Sequence, residues 1–167
     1  SHSGNQVVTV GGALTLSRPG AGDVFLGNVF DAATPNVGLA TVDISAGGFL
    51  LQGGNIWAEE AIVLALAGGG SATAGAIHAG RASAPTNGGD IVVDAGSSLA
   101  LDGSLTLAGT VDIGTTGVLE LNGGTLTAGA GIDNQGTIEV IQATTVTNTG
   151  TVFDTSAGTL QIASGET

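Results

Sequence analysis

The sequence predicts an all-β fold, a parallel β-helix whose coils are each about 20 residues long. The first observation behind this is a set of apolar columns. Leu99, Leu119, Ile138 and Leu160 occupy equivalent positions, as do Leu101, Leu121, Val140 and Ile162. Leu105, Leu126 and Val146 make a third column, and Ile91, Val111, Ile132 and Val152 a fourth. The second observation is alternation within each run, apolar against polar, the period of a strand with one buried face. The third is glycine: 31 residues against 3 prolines, without the spacing of collagen. A coil of this kind cannot cover its own inner face and must stack on a neighbour.

Taken in order, the chain opens with Ser1-His2-Ser3, which reads as a tag remnant, so residues 1–4 are expected to be a flexible start. Residues 5–58 read as irregular N-terminal coils, with strand-like runs at 8–10, 14–16, 24–26 and 42–44. Thr41-Val42-Asp43-Ile44 recurs letter for letter as Thr110-Val111-Asp112-Ile113. Continuing with one gap, Gln52-Gly53-Gly54-Asn55-Ile56 stands opposite Asn122-Gly123-Gly124-Thr125-Leu126. Residues 59–89 read as an insertion. Its first part, 61–66, is expected to be a short helix or another coil with small residues, and 68–89 a Gly/Ala-rich loop. Residues 90–163 read as regular coils turning at Asn122-Gly123, Asn134-Gln135-Gly136 and Asn148-Thr149-Gly150. The 167 residues make one domain overall.

These repeats resemble a known class. Gly136-Thr137-Ile138-Glu139-Val140 and Thr147-Asn148-Thr149-Gly150-Thr151-Val152 are similar to the degenerate repeats of large bacterial surface proteins. So is the run Gly88-Gly89-Asp90-Ile91-Val92-Val93-Asp94-Ala95-Gly96-Ser97-Ser98-Leu99. Those proteins are the filamentous-haemagglutinin-like and autotransporter-like adhesins. The resemblance covers residues 88–162 well and 37–58 in part. It implies a right-handed helix, secretion to the cell surface, and a role in adhesion or as a stalk. It supplies no functional residues.

Charge narrows the partners. Lysine is absent, Arg18 and Arg81 are the only arginines, and the formal net charge is −12. Such a chain repels phosphate backbones and anionic head groups, so no nucleic-acid partner is expected. The longest apolar stretch, 61–67, is too short to insert in a membrane. With no cysteine there is neither a disulfide framework nor a thiolate metal site.

Stacking the coils also stacks their outward positions. Ser104 and Thr106, Thr125 and Thr127, and Thr145 and Thr147 fall into two files of hydroxyls, an arrangement suited to ordering water in a lattice or to hydrogen-bonding a glycan. β-branched residues at such positions also simply suit exposed strands. Glu120 falls beside Glu139 and Asp112 beside Asp133, and a Ca²⁺ ion would relieve their repulsion, as would splaying into water. Residues 20–28 superficially resemble the Gly/Asp nonapeptide of calcium-binding β-rolls, but the motif occurs once. Trp57, just before the insertion, could stack on a sugar or cover the insertion from within. The insertion itself carries His78 and Arg81 beyond Glu59-Glu60, and loops thrown from a scaffold often bind.

An enzyme is not expected. Glycoside hydrolysis needs two converging carboxylates and uronate lyases want a basic group, whereas here the acids are scattered and lysine is absent. The expected function is a segment of a secreted bacterial surface protein, adhesive or a structural stalk. Its partners would be a host or environmental surface, further coils of the parent protein, and other copies through open helix ends. The alternative is an ice- or glycan-binding solenoid using the Ser/Thr files.

Overall fold

The computed structural model describes residues 6–17, 25–27, 41–58, 60–80 and 88–164. All regular structure among them is β, in chain order β1 (Gln6–Ser17), β2 (Phe25–Gly27), β3 (Thr41–Ala58), β4 (Ala61–Ala79), β5 (Gly88–Val93), β6 (Ser98–Leu107), β7 (Thr110–Ile113), β8 (Val118–Ala128), β9 (Gly131–Asn134), β10 (Thr137–Asn148), β11 (Val152–Asp154) and β12 (Thr159–Ile162). The strands form one curled sheet in which the pairs run parallel.

The long strands bend, so that each serves more than one ladder. In the first ladder Val42, Ile62, Leu99, Leu119, Ile138 and Leu160 are successive partners. In the second, Leu105, Leu126 and Val146 are partners. The third ladder runs through Ile56, Ile77, Ile91, Val111 and Ile132. From Val42 to Ile138 these columns, Val146 apart, are buried and form one apolar core inside the curl. Each fully buried Leu or Ile contributes about 1.5–3 kcal/mol relative to exposure. Glycine is needed at the bend between the first two ladders. Gly103 has φ +109° and Gly124 φ +80°; a Cβ on Gly103 would meet the Leu66 carbonyl, and one on Gly124 the Gly103 backbone.

Three expectations are corrected. Residues 61–79 are neither a helix nor an extruded loop but the strand β4, paired with β3 on one side and with β5 and β6 on the other. Of the two readings of 61–66 the helix is overturned, and the other, a further segment of the stack with small residues, agrees with the pairing of β4. Its small residues have a packing reason: a Cβ on Gly70 would lie 2.8 Å from the Cβ of Phe49, the partner whose ring fills that space. Second, Phe153 and not Val152 stands against Ile132. Third, the two copies of Thr-Val-Asp-Ile lie in different ladders, since Val42 pairs with Ile62 in the first and Val111 with Ile91 in the third. Residues 1–4, Glu59 and 81–87 lie outside the described residues.

The order of the ladders explains the third correction. β3 and β4 each run from the first ladder through the second to the third. After Ala79 the next strand, β5, returns to the third ladder and pairs beside residues 76–79. From there the chain visits third, first and second in turn. Both Thr-Val-Asp-Ile segments therefore open a new rung of the sheet.

Candidate functional site

The hydroxyl files lie on the second ladder. Thr125 pairs with Thr145, and Thr127 with both Thr106 and Thr147. Their neighbours Leu105, Leu107, Leu126 and Ala128 are buried, so alternation turns the hydroxyls outward. Thr106, Thr145 and Thr147 are exposed, and Ser104, Thr125 and Thr127 half-buried. The files differ in freedom. Ser104 Oγ accepts a hydrogen bond from the Thr125 amide at 3.0 Å and so braces the bend between rungs. Thr144 is likewise engaged, its hydroxyl donating to the Gln142 carbonyl at 2.8 Å and accepting from the Gly123 amide.

The acidic columns are placed side by side as expected. Glu120 partners Glu139 on the first ladder, and Asp112 partners Asp133 on the third, followed by Asp154. Asp90 joins them from the neighbouring rung. Its Oδ1 accepts from the Thr110 amide at 2.8 Å, and the Thr110 hydroxyl lies 3.3 Å from that oxygen and 3.0 Å from Asp112 Oδ2. Burial pushes the Asp112 carboxyl above its ordinary range; the Thr110 hydrogen bond opposes this, and the charges of Asp90 and Asp133 add to it. Among the described residues no three His, Asp or Glu side chains come together to hold a metal ion. Ca²⁺ takes six to eight oxygens, more than an in-register pair of carboxylates supplies. Of the nonapeptide-like run only 25–27 is described, as the strand β2, and the rest lies outside the described residues.

Trp57 requires a correction. It is 1 % exposed, so it offers no platform to a sugar. Its indole Nε1 donates to the Gly80 carbonyl at 2.7 Å, and its ring centroid is 6.1 Å from that of His78. His78 lies in β4, not in a loop, and its Nε2 is 2.8 Å from Asp94 Oδ2. Both residues are buried. Gly80 binds the group together: its amide donates to the Ala58 carbonyl at 2.8 Å, and its φ of +124° brings the backbone against the Asp94 side chain, which a Cβ would strike. Trp57 and His78 are register partners, and His78 pairs with Val92. All three point away from the principal core, because Ile56, Ile77 and Ile91 beside them point into it. Sequence reasoning missed this pair. The signal was present in the spacing of Trp57, His78 and Val92, but only a correct strand assignment for 61–79 makes it readable.

One open groove of about 430 Å³ crosses the outside of the first ladder, over the register column Thr9, Ser45, Ala65 and Asp102. The one carboxylate among its described lining is that of Asp102. No family model, curated protein or solved structure matches the chain.

Proposed function

We propose that the curled sheet is a right-handed parallel β-helix of about 20 residues per coil, part of a secreted bacterial surface protein that serves in adhesion or as a stalk. The observation that carries this reading is the unbroken parallel register of apolar partners from Val42 to Leu160 around one core. Such a stack grows in one dimension and holds its outer faces at fixed spacing, which is what a spacer or a display surface requires. The last rung leaves Phe153, Leu160 and Ile162 more than half exposed, which suits contact with further coils of a parent protein or with another copy. The chain is not proposed as an enzyme.

A two-part assay tests this. Beads coated with the protein are expected to be retained on biological surfaces under flow if it is adhesive, and to behave as blank beads if it is only a stalk. Release of reducing ends or unsaturated uronates from a polysaccharide panel would overturn both. A second reading, an ice- or glycan-binding solenoid, is favoured by the alignment of Thr125 with Thr145 and of Thr106, Thr127 and Thr147.

A further inference from the structure

The acids are unevenly distributed over the sheet. Asp43, Asp102, Glu120 and Glu139 lie on the first ladder, and Asp90, Asp112, Asp133 and Asp154 on the third. Asp94 follows the third ladder at the bend toward the first. The second-ladder segments 13–17, 48–52, 70–74, 104–107, 125–128 and 144–148 contain no Asp, Glu, Lys or Arg. Among the described residues, this protein of net charge −12 therefore has one ladder without charged side chains, and that ladder carries the hydroxyl files.

A second observation comes from the hydrogen bonds. Ser104, Thr144 and Thr149 have side-chain oxygens committed to backbone groups. Thr106, Thr127, Thr145 and Thr147 have no such bond among the described residues, and all but Thr127 are exposed. Their hydroxyls are left to the outside. Parallel strands lie about 4.8 Å apart, so the files have a fixed pitch. The β-branched side chain restricts χ1, so little freedom is lost when a ligand takes these hydroxyls.

We propose that this face binds neutral polysaccharide, a deepening of the adhesive reading that rests on it. The neutrality of the face selects an uncharged polymer, while the acidic ladders on either side repel an anionic one. No aromatic side chain stands outward on the described part of the face, since Phe49 is turned into the core. Binding must then come from many weak hydroxyl contacts made at once. That arithmetic favours a long chain or a packed polymer surface over a single sugar. The array spans three rungs and is followed by Ser71 and Leu50 in the same column, so it offers a short polar strip, not an extended lattice-matching plane.

The test uses the full chain in sedimentation assays with insoluble neutral glucan and insoluble neutral mannan, with polygalacturonate gel as the anionic comparison. The triple variant Thr106→Val, Thr127→Val, Thr147→Val keeps shape and branching and removes three hydroxyls. Retention on at least one neutral polymer is expected, at least tenfold weaker in the triple variant at an unchanged melting midpoint, and unaffected by millimolar glucose or mannose. Single Thr106→Glu and Thr147→Glu variants, both at exposed positions, should show the same loss should the triple variant prove unstable. Glu120→Gln should bind as the parent does. Equal retention by parent and variants, equal retention on polygalacturonate, or partition into ice without retention on either neutral polymer would each overturn the proposal. If coated beads adhere to surfaces while none of the hydroxyl variants changes that adhesion, this face is refuted and the adhesive reading stands. If nothing adheres to anything, both fall.

Discussion

The outward column of the third ladder changes character along its length. At one end Trp57, His78 and Val92 are buried; at the other Asp112 and Asp133 are half-buried and Asp154 is exposed. Ladder and direction are the same in both regions, and as far as Asp133 so is the core beside them, filled by Ile56, Ile77, Ile91, Val111 and Ile132. The difference teaches that register decides which side chains stack, and cover decides what chemistry the stack can hold. A covered column admits an indole and an imidazole only with hydrogen-bond partners, here the Gly80 carbonyl and the Asp94 carboxylate. A wet column admits a row of like charges.

The largest effect should come from the covered end. Trp57→Ala removes a fully buried indole and leaves a void between Gly80 and His78, at a cost of about 3–5 kcal/mol. Urea unfolding should show the midpoint falling with the slope unchanged. A loss below about 1 kcal/mol would mean that the covered region is not part of the cooperative unit. Asp94→Ala is the next test. It strips the partner from His78 Nε2 inside a buried site, and about 1–3 kcal/mol should be lost. Asp94→Asn keeps an acceptor and should recover part of it.

Much of the architecture was legible in the sequence, and the reasons for the rest are specific. The columns through Leu99, Leu101 and Leu105 could be read because apolar alternation is strict there and glycine-marked bends separate the runs. Strand β4 was obscured because Gly68-Gly69-Gly70-Ser71 has the composition of a loop, whereas Gly68 lies against the Gly47 backbone, Gly69 adopts φ +74° and Gly70 leaves room for Phe49 of the adjacent rung. Partners across a ladder override local propensity. The Thr-Val-Asp-Ile repeat was misplaced for a related reason: alternation encodes a strand that buries one side, and nothing in it names the ladder. Of the candidate site, the hydroxyl files and both carboxylate pairs were legible as neighbours. The His78–Asp94 pair was not, since it depends on β4 and β5 lying side by side.

The bends that follow the two ends sharpen the comparison further. After the covered strand the chain turns through Asp94-Ala95-Gly96-Ser97, with the Ser97 amide donating to the Asp94 carbonyl and Gly96 at φ +75°. After the wet strand it turns through Gly114-Thr115-Thr116-Gly117, with the matching Gly117 to Gly114 bond and Thr116 at φ +65°. A β-branched residue in the left-handed region is strained, so Thr116→Gly should stabilise by about 1 kcal/mol. That corresponds to a melting midpoint higher by about 2–4 °C. In the reciprocal Gly96→Thr the added Cβ meets no neighbouring atom within 4 Å, so the change should cost a similar amount, chiefly through conformation. If the two changes fail to mirror each other, the two bends are not equivalent.

The smallest effects lie in the wet column, where the sign is more telling than the size. Among the described residues no three of its carboxylates come together on one ion, so millimolar Ca²⁺ should move the melting midpoint no more than Mg²⁺ at equal ionic strength. A Ca²⁺-specific rise would restore the acidic pairs as an ion site. Asp112 is raised by burial and by neighbouring charge, so the folded state holds its proton more tightly than the unfolded chain does. Its contribution is unfavourable at neutral pH and is relieved as pH falls through the raised value toward the ordinary carboxylate range. Asp112→Asn should therefore be more stable than the parent at pH 7, by well under about 1 kcal/mol after solvent screening, and the gain should vanish in acid. Asp154, at the exposed end, is lowered because the side chain and the amide of Ser156 donate to it. Its favourable contribution is present above the ordinary range and is lost as pH falls through the lowered value. Urea midpoints of Asp112→Asn and Asp154→Asn from pH 7 to pH 3 should thus depart from the parent in opposite directions. Departures of the same sign would mean that net charge alone, and not position along the column, governs these two residues.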